Sequence, residues 1–452
     1  MMRILSRLAC LLLLSACALP AGVPAGRVPA SADLPAMKTF PPGQATPPQR
    51  SNASIARDIL ALEFQMESGR DLPRLTRFTG PITIALTGDV PPTAATDLSR
   101  LLTRLRAEAG IDITPVTSGP ASITVEFVPR RRLQAVVPQA ACFVVPRISS
   151  WSDYRRARRT DRVDWTTLTT RDRVAVFIPS DTAPQEIRDC LHEEVAQALG
   201  PLNDLYELSD SVFNDDNFHT VLTGFDMLAL KVHYAPELAN GMDRAQVAAR
   251  LPAVLSRLNP GGGPGAPLPP TSTPRPWIDA METALGPKGS PQQRRAAARQ
   301  ALQIARSEGW TDSRLGFSYF AVGRLSLADE MDAAVAALTN AARIYRTLPD
   351  AGIHVAHIDM QMAAFSLSAN KPADAIALVN RAIPAATRSE NAALLASLLM
   401  IKAEALEMTG DPVQAQALRL DSMGWARYGF GTDDEVRTRL AEIALLSPLW
   451  GG

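Results

Sequence analysis

Residues 259–276 read NPGGGPGAPLPPTSTPRP. Proline lacks an amide hydrogen and glycine lacks a side chain, so this stretch has little to bond and nothing to bury, and it acts as a linker. It divides the chain into two parts that must each build a core, and the two obey different periodicities. Before it, short runs of β-branched residues alternate with helical patterns. After it, only Ala- and Leu-rich helical patterns remain. At 452 residues and 46% apolar content there is material for two or three domains. The formal net charge of zero gives no basic surplus of the kind that attracts nucleic acid, so no nucleic-acid partner is expected.

The first seventeen residues, MMRILSRLACLLLLSAC, join a basic start to a short apolar run and small residues. That is the composition of a secretory signal, and the run is too short to cross a bilayer. Leu14-Ser15-Ala16-Cys17 resembles the bacterial lipoprotein signal, which implies that Cys17 becomes the lipidated first residue of the mature chain and that the membrane is a partner through that anchor. The resemblance places the protein in the cell envelope, facing the periplasm. Ala18 stands where an aspartate would retain a lipoprotein at the inner membrane, so the outer membrane is the expected site. From 18 to 52 the sequence is Ala-, Pro-, Gly- and Ser-rich and is expected to form a disordered tether. Of four cysteines, Cys10 leaves with the signal and Cys17 takes lipid, leaving Cys142 and Cys190. In an oxidising compartment a disulfide between them is expected, the alternative being two buried thiols.

Residues 53–258 form an α+β domain on this reading. SIARDILALEFQMES suits a short amphipathic helix through Ile55, Ile59, Leu62 and Phe64. PITIAL reads as a strand, and 95–110 as a helix closed by Gly110. IDITPV, SITVEFV, ACFVV and RVAVFIP read as further strands, the last two separated by the Arg-rich SDYRRARRTDR. PQEIRDCLHEEVAQALG is a helix opened by Pro184 and closed by Gly200. FDMLALKVHY and DRAQVAARLPAVLSRL supply two more helices.

Residues 277–449 carry a repeat of forty. Ala337-Leu338, Ala377-Leu378 and Ala417-Leu418 keep that spacing, as do Lys371-Pro372 and Asp411-Pro412. Small residues recur at Gly323, Ala363 and Ala403, and again at Val335, Ala375 and Ala415. Stacked helical hairpins need such residues where the helices cross. The pattern resembles a tetratricopeptide array, with Ala363, Asn370, Ala375, Val379 and Ala382 on that repeat's positions. Arg419 departs from it, and forty exceeds the usual period of about thirty-four. A plain helical bundle is the alternative.

The chemistry concentrates in CLHEEVAQALGPLND, residues 190–204. His192-Glu193 opens a zinc-protease motif, but the second imidazole belongs four residues on, where it would share a helix face with the first, and Ala196 stands there. Shifted by one residue, the segment resembles the helix and turn of metzincin-like proteases. That resemblance places Glu193, Gln197 and Asn203 on the three metal-ligand positions and Glu194 on the general base, with Gly200 at the turn. Ser211-Val212-Phe213 is similar to the family's turn beneath the metal, and Thr223-Gly224-Phe225-Asp226 to the start of its last helix. The region also resembles a bacterial domain family of unknown function marked by HEExxQxLGxxND, a Ser-x-Phe-Asn turn and a Leu-Thr-x-x-Asp helix, which implies a zincin-like fold without an activity.

Glu193, Gln197 and Asn203 would offer oxygens alone, a set suited to magnesium, calcium or manganese rather than zinc. Without a Lewis acid Glu194 has little leverage on water. His192 could alternatively join His219 or His233 in a rearranged site. The Arg-rich loop at 152–162 and PRRR at 129–132 are expected to be solvated, the alternative being a phosphate or acidic-protein contact. Asn214-Asp215-Asp216-Asn217 lacks the spacing of a calcium loop and is expected to be a turn closed by Asx hydrogen bonds. The expected function is a non-catalytic envelope lipoprotein, without a cofactor, binding a protein or cell-wall partner through an inactivated protease groove and a helical-repeat surface. The alternative is a metallopeptidase holding one divalent metal and using Glu194 as base.

Overall fold

The computed structural model describes residues 34–41, 43, 45–138, 140–266, 272–327 and 329–448. The lipid signal ending at Cys17 lies outside them. The described residues form two compact units, one between 43 and 266 and the other of the helical region 272–448 together with 34–41. The first is a mixed α/β sheet domain and the second is all-helical. Among the described residues no helix is long and apolar enough to cross a membrane.

The sheet domain opens with α1 (Asn52–Glu63), whose Ile55, Ile59 and Leu62 recur at helical spacing and are all buried. Then follow β1 (Ile82–Gly88), α2 (Ala94–Arg104), β2 (Ile113–Pro115), β3 (Ile123–Val128), α3 (Arg130–Gln134), β4 (Phe143–Pro146), α4 (Trp151–Ala157), β5 (Val174–Pro179), α5 (Pro184–Leu199), α6 (Gly224–His233) and α7 (Arg244–Leu258). The strand order is β2-β1-β3-β5-β4. All neighbours are parallel except β4, which runs antiparallel to β5 with Val144 opposite Val176. Every residue of β5 is buried, as a strand covered on both faces requires. Cys142, just before β4, is disulfide-bonded to Cys190 on α5, so the antiparallel edge is fastened to the motif helix.

Three segments are more ordered than their composition suggests. The Arg-rich stretch contains α4, whose Trp151 and Tyr154 lie 5.3 and 5.5 Å from the Phe177 ring of β5, so its aromatics belong to the core while its arginines stay outside. PRRR opens the short helix α3 instead of a loop. Within the expected tether, Arg50 ion-pairs with Asp210 at 2.9 Å and with Asp58, and Ser51 caps α1. The start of the linker also bonds back, Asn52 and Ala53 donating to the carbonyls of Gly263 and Pro264.

The helical unit runs through α8 (Arg275–Leu285), α9 (Pro291–Ser307), α10 (Ser313–Ser326), α11 (Met331–Tyr345), α12 (Gly352–Ser368), α13 (Pro372–Arg388), α14 (Ala392–Met408), α15 (Pro412–Gly429) and α16 (Asp433–Ala444). The pairs α8/α9, α10/α11, α12/α13 and α14/α15 pack together as hairpins. From α12 to α15 the helices begin at 352, 372, 392 and 412, a step of twenty that makes each forty-residue repeat one hairpin. Gly323 is small because a side chain there would drive its Cβ to 2.7 Å from Leu338 on the neighbouring helix. Arg419, at a position expected to be large and apolar, is buried but paired with Glu404 at 2.9 Å and Glu407 at 3.3 Å on α14. Residues 34–41 belong to this unit as well: Lys38 donates its amide to the carbonyl of Gly424, and Phe40 lies 4.5 Å from Trp425 on α15.

Candidate functional site

The motif helix α5 starts at Pro184, whose missing N–H falls where a helix has no use for one. Leu191, Val195, Ala198 and Leu199 turn into the core. Glu193, Glu194 and Gln197 occupy the remaining arc, while His192 lies on the core side between Leu199 and Ala196. The helix stops at Gly200, where a Cβ would stand 3.2 Å from Leu230 and 3.4 Å from His233, so close approach of α6 selects glycine there. Arg171, itself buried, closes the end of α5: Nη1 donates to the carbonyls of Gln197 at 2.7 Å and Ala198 at 2.8 Å, and Nη2 donates to that of Gly200. A cation at a helix C-terminus also opposes the helix dipole.

Each motif side chain has a definite place. His192 is buried, and its Nδ1 accepts the backbone N–H of Leu222 at 3.0 Å. Burial, reinforced by Arg188 and Arg104, pushes its pKa well below the usual value, so the ring is neutral. Asn203 donates its amide to the carbonyl of Ala61 on α1 at 3.1 Å, which fixes the direction of its side chain. Gln197 donates to Asp204 at 3.4 Å. His219 is engaged with the carbonyl of Ser209 and His233 with Glu63, at 3.0 and 2.7 Å. The three imidazoles are thus each committed to a different partner.

The turn after α5 rests on Asp226, a fully buried carboxylate near the start of α6. It accepts from the Ser211 hydroxyl, from the Val212 amide at 3.1 Å and from the Thr223 amide at 2.7 Å. Thr223 returns a bond to the Asp226 amide, completing a capping box. The neighbouring Asn214–Asn217 stretch closes on itself through Asx bonds, Asp216 N–H to Asn214 and Phe218 N–H to Asp216.

What remains on the solvent side of α5 is a concentration of carboxyl groups. Burial raises Glu193 to about 8, with Asp215, Glu67 and Asp189 adding repulsion. Burial, then Glu193 and Glu67, hold Glu194 well above the ordinary range. Asp204 is raised likewise by burial and by Glu67, Asp215 and Glu193. Asp189 rises to about 7 through burial, against the pull of Arg188. Glu194 is only 4% exposed, and its Oε2 has no hydrogen-bond partner; Asp204 Oδ1 has none either. Among the described residues no three His, Cys, Asp or Glu side chains converge as metal ligands do. Glu193, Gln197 and Asn203 provide oxygens alone, and Asn203 is held on α1, a donor set that does not fit a tightly bound zinc ion.

The sequence assigns no role to Glu67, Asp204 or Arg171, and places Asp215 only in an Asx-closed turn. Asp204 closes the HEExxQxLGxxND motif, so a signal was present for it. The other three lie outside α5 and reach the site only through folding. A separate cavity of about 620 Å³ lies between α1 and α7, lined by Ala56, Leu60, Pro252 and Arg244 among others, and contains none of the motif residues.

Residues 52–253 match the model of a family described as a protein of unknown function (DUF2927). No curated protein and no solved structure matches the chain.

Proposed function

We propose that this protein binds rather than cuts: an envelope lipoprotein, anchored through Cys17, in which a zincin-like domain has turned its protease helix into the wall of a binding groove. The observation that carries this reading is the bond from the Leu222 amide to His192 Nδ1. It engages Nδ1 with main chain, which in a neutral ring leaves the proton on Nε2, while Asn203 is held by α1 and Gln197 by Asp204. The motif side chains hold the turn in shape, which is a structural task.

The chemistry of Glu194 supports the same reading. A general base must be ionised near the working pH. Burial and two neighbouring carboxyls push Glu194 well above the carboxylate range, which disfavours the ionised form a base needs. The order of strands and helices before α5 agrees with the zincin resemblance, and the hairpins stepping by twenty agree with a tetratricopeptide-like array whose surface would carry a protein or cell-wall partner.

The test is cleavage of a peptide library by the purified chain, with metal analysis of the same sample and Glu194→Gln as the comparison. No cleavage and no stoichiometric transition metal are expected. Cleavage that disappears in Glu194→Gln would overturn the reading in favour of a metallopeptidase.

A further inference from the structure

We propose that the carboxyl cluster beside α5 is a receptor for a basic side chain, a lysine or arginine presented by a polypeptide. This rests on the binding reading given above and names the chemistry of what is bound. The carboxyls are graded from solvent inward. Glu67 and Asp215 are exposed, Glu193 and Asp204 are half-buried, and Glu194 is buried at 4% exposure.

A group of acids on a surface would need no ligand, because water and salt would satisfy it. This one differs at its inner end. Glu194 Oε2 and Asp204 Oδ1 are sealed from solvent and have no hydrogen-bond partner. A buried polar atom without a partner is costly, so in most folds such atoms are paired. A positively charged donor delivered there would pair both oxygens and offset the repulsion among the neighbouring carboxyls as well.

The spacing selects the kind of cation. No three of these carboxyls converge at the short distances a metal ion requires. An ammonium or guanidinium carries several N–H donors on a head group at the end of a long apolar stem. Such a side chain passes the outer carboxyls and delivers its donors to the inner ones.

The probe is a fluorescein-labelled pentapeptide with a central lysine in an alanine background, compared with the same peptide carrying norleucine at the centre. Anisotropy is measured with the full chain at physiological salt. The lysine peptide is expected to bind at least about tenfold more tightly, and Glu193→Gln and Asp204→Asn each to remove most of that preference. Glu67→Gln, on the exposed rim, provides a third variant if either of the others fails to fold.

Equal binding of the two peptides, or an unchanged preference in all folded variants, overturns the inference. So does displacement of the lysine peptide by millimolar calcium at matched ionic strength with a calcium-dependent rise in melting temperature, which would assign the carboxyls to a metal. Mass spectrometry of the recovered peptide separates the two levels. An intact peptide without lysine preference refutes this inference alone, whereas cleavage that Glu194→Gln abolishes refutes the binding reading beneath it.

Discussion

The Nδ1 of His192 accepts the amide hydrogen of Leu222 at 3.0 Å, across thirty residues of chain and inside the protein. This imidazole fastens the segment that leads into α6 to the motif helix α5.

Replacing His192 with alanine leaves the buried Leu222 N–H without a partner and opens a small cavity. A loss of about 2–4 kcal/mol in urea unfolding is expected, the sum of an unsatisfied donor and lost packing. A change within experimental error would show that the bond does not hold the turn.

The same logic applies with greater force to Arg171, which donates to three carbonyls at the end of α5. Arg171→Met keeps the stem and removes every donor. It should destabilise the sheet domain by about 3–5 kcal/mol, since three buried acceptors lose their partner together. Arg171→Lys should recover only part, because an ammonium cannot reproduce the planar fork.

Stability should fall as pH rises above neutrality. Asp189 at about 7 and Glu193 at about 8, with Glu194 and Asp204 also raised well above their ordinary values, keep protons in the fold that the unfolded chain has already released. The folded state then binds more protons than the unfolded one, and unfolding free energy decreases from about pH 4 up through these pKa values. His192 has the opposite sign: its lowered pKa contributes stability that is lost only below about pH 6.5. Between about pH 6.5 and 8.5 the carboxyls act alone. A melting temperature several degrees lower at the upper end is expected, with a shallower slope in Glu193→Gln. A flat wild-type profile would contradict the burial of these groups.

Reduction of the Cys142–Cys190 bond releases a loop spanning 48 residues and frees β4 from α5. A loss of about 2–4 kcal/mol is expected from chain entropy. The double variant Cys142→Ser, Cys190→Ser should match the reduced protein in a denaturant melt.

Phe40 is 4% exposed, with its ring 4.5 Å from that of Trp425, and Arg427 donates to the carbonyl of Pro35. Phe40→Ala should release residues 34–41 from α15 without unfolding it. Trp425 fluorescence would shift to longer wavelength, and proteolytic cleavage between 34 and 41 would speed up. Unchanged proteolysis would mean that the aromatic contact is not what holds the segment.

Much of the architecture was legible because local patterns carried it. Ile55, Ile59 and Leu62 at helical spacing, the β-branched run of β3 and the Pro372/Pro412 repeat all express short-range physics. The Cys142–Cys190 pairing was legible by elimination. The order of 34–41 and 45–51 was not: an Ala/Pro-rich segment has no pattern of its own and is held by Trp425, Asp210 and Asp58, all distant in sequence. The arginines of 152–162 hid a helix because its buried face is only Trp151, Tyr154 and Ala157.

By itself, then, the sequence determined two units of different class and the motif helix, since periodicity and residue identity are local properties. Only the tertiary structure decided what the surviving polar residues do. It gave His192 a backbone amide, gave the end of α5 to Arg171, and brought Glu67 and Asp215 to Glu193 and Asp204. Burial and through-space charge set a carboxyl's proton affinity, and both depend on neighbours that folding supplies.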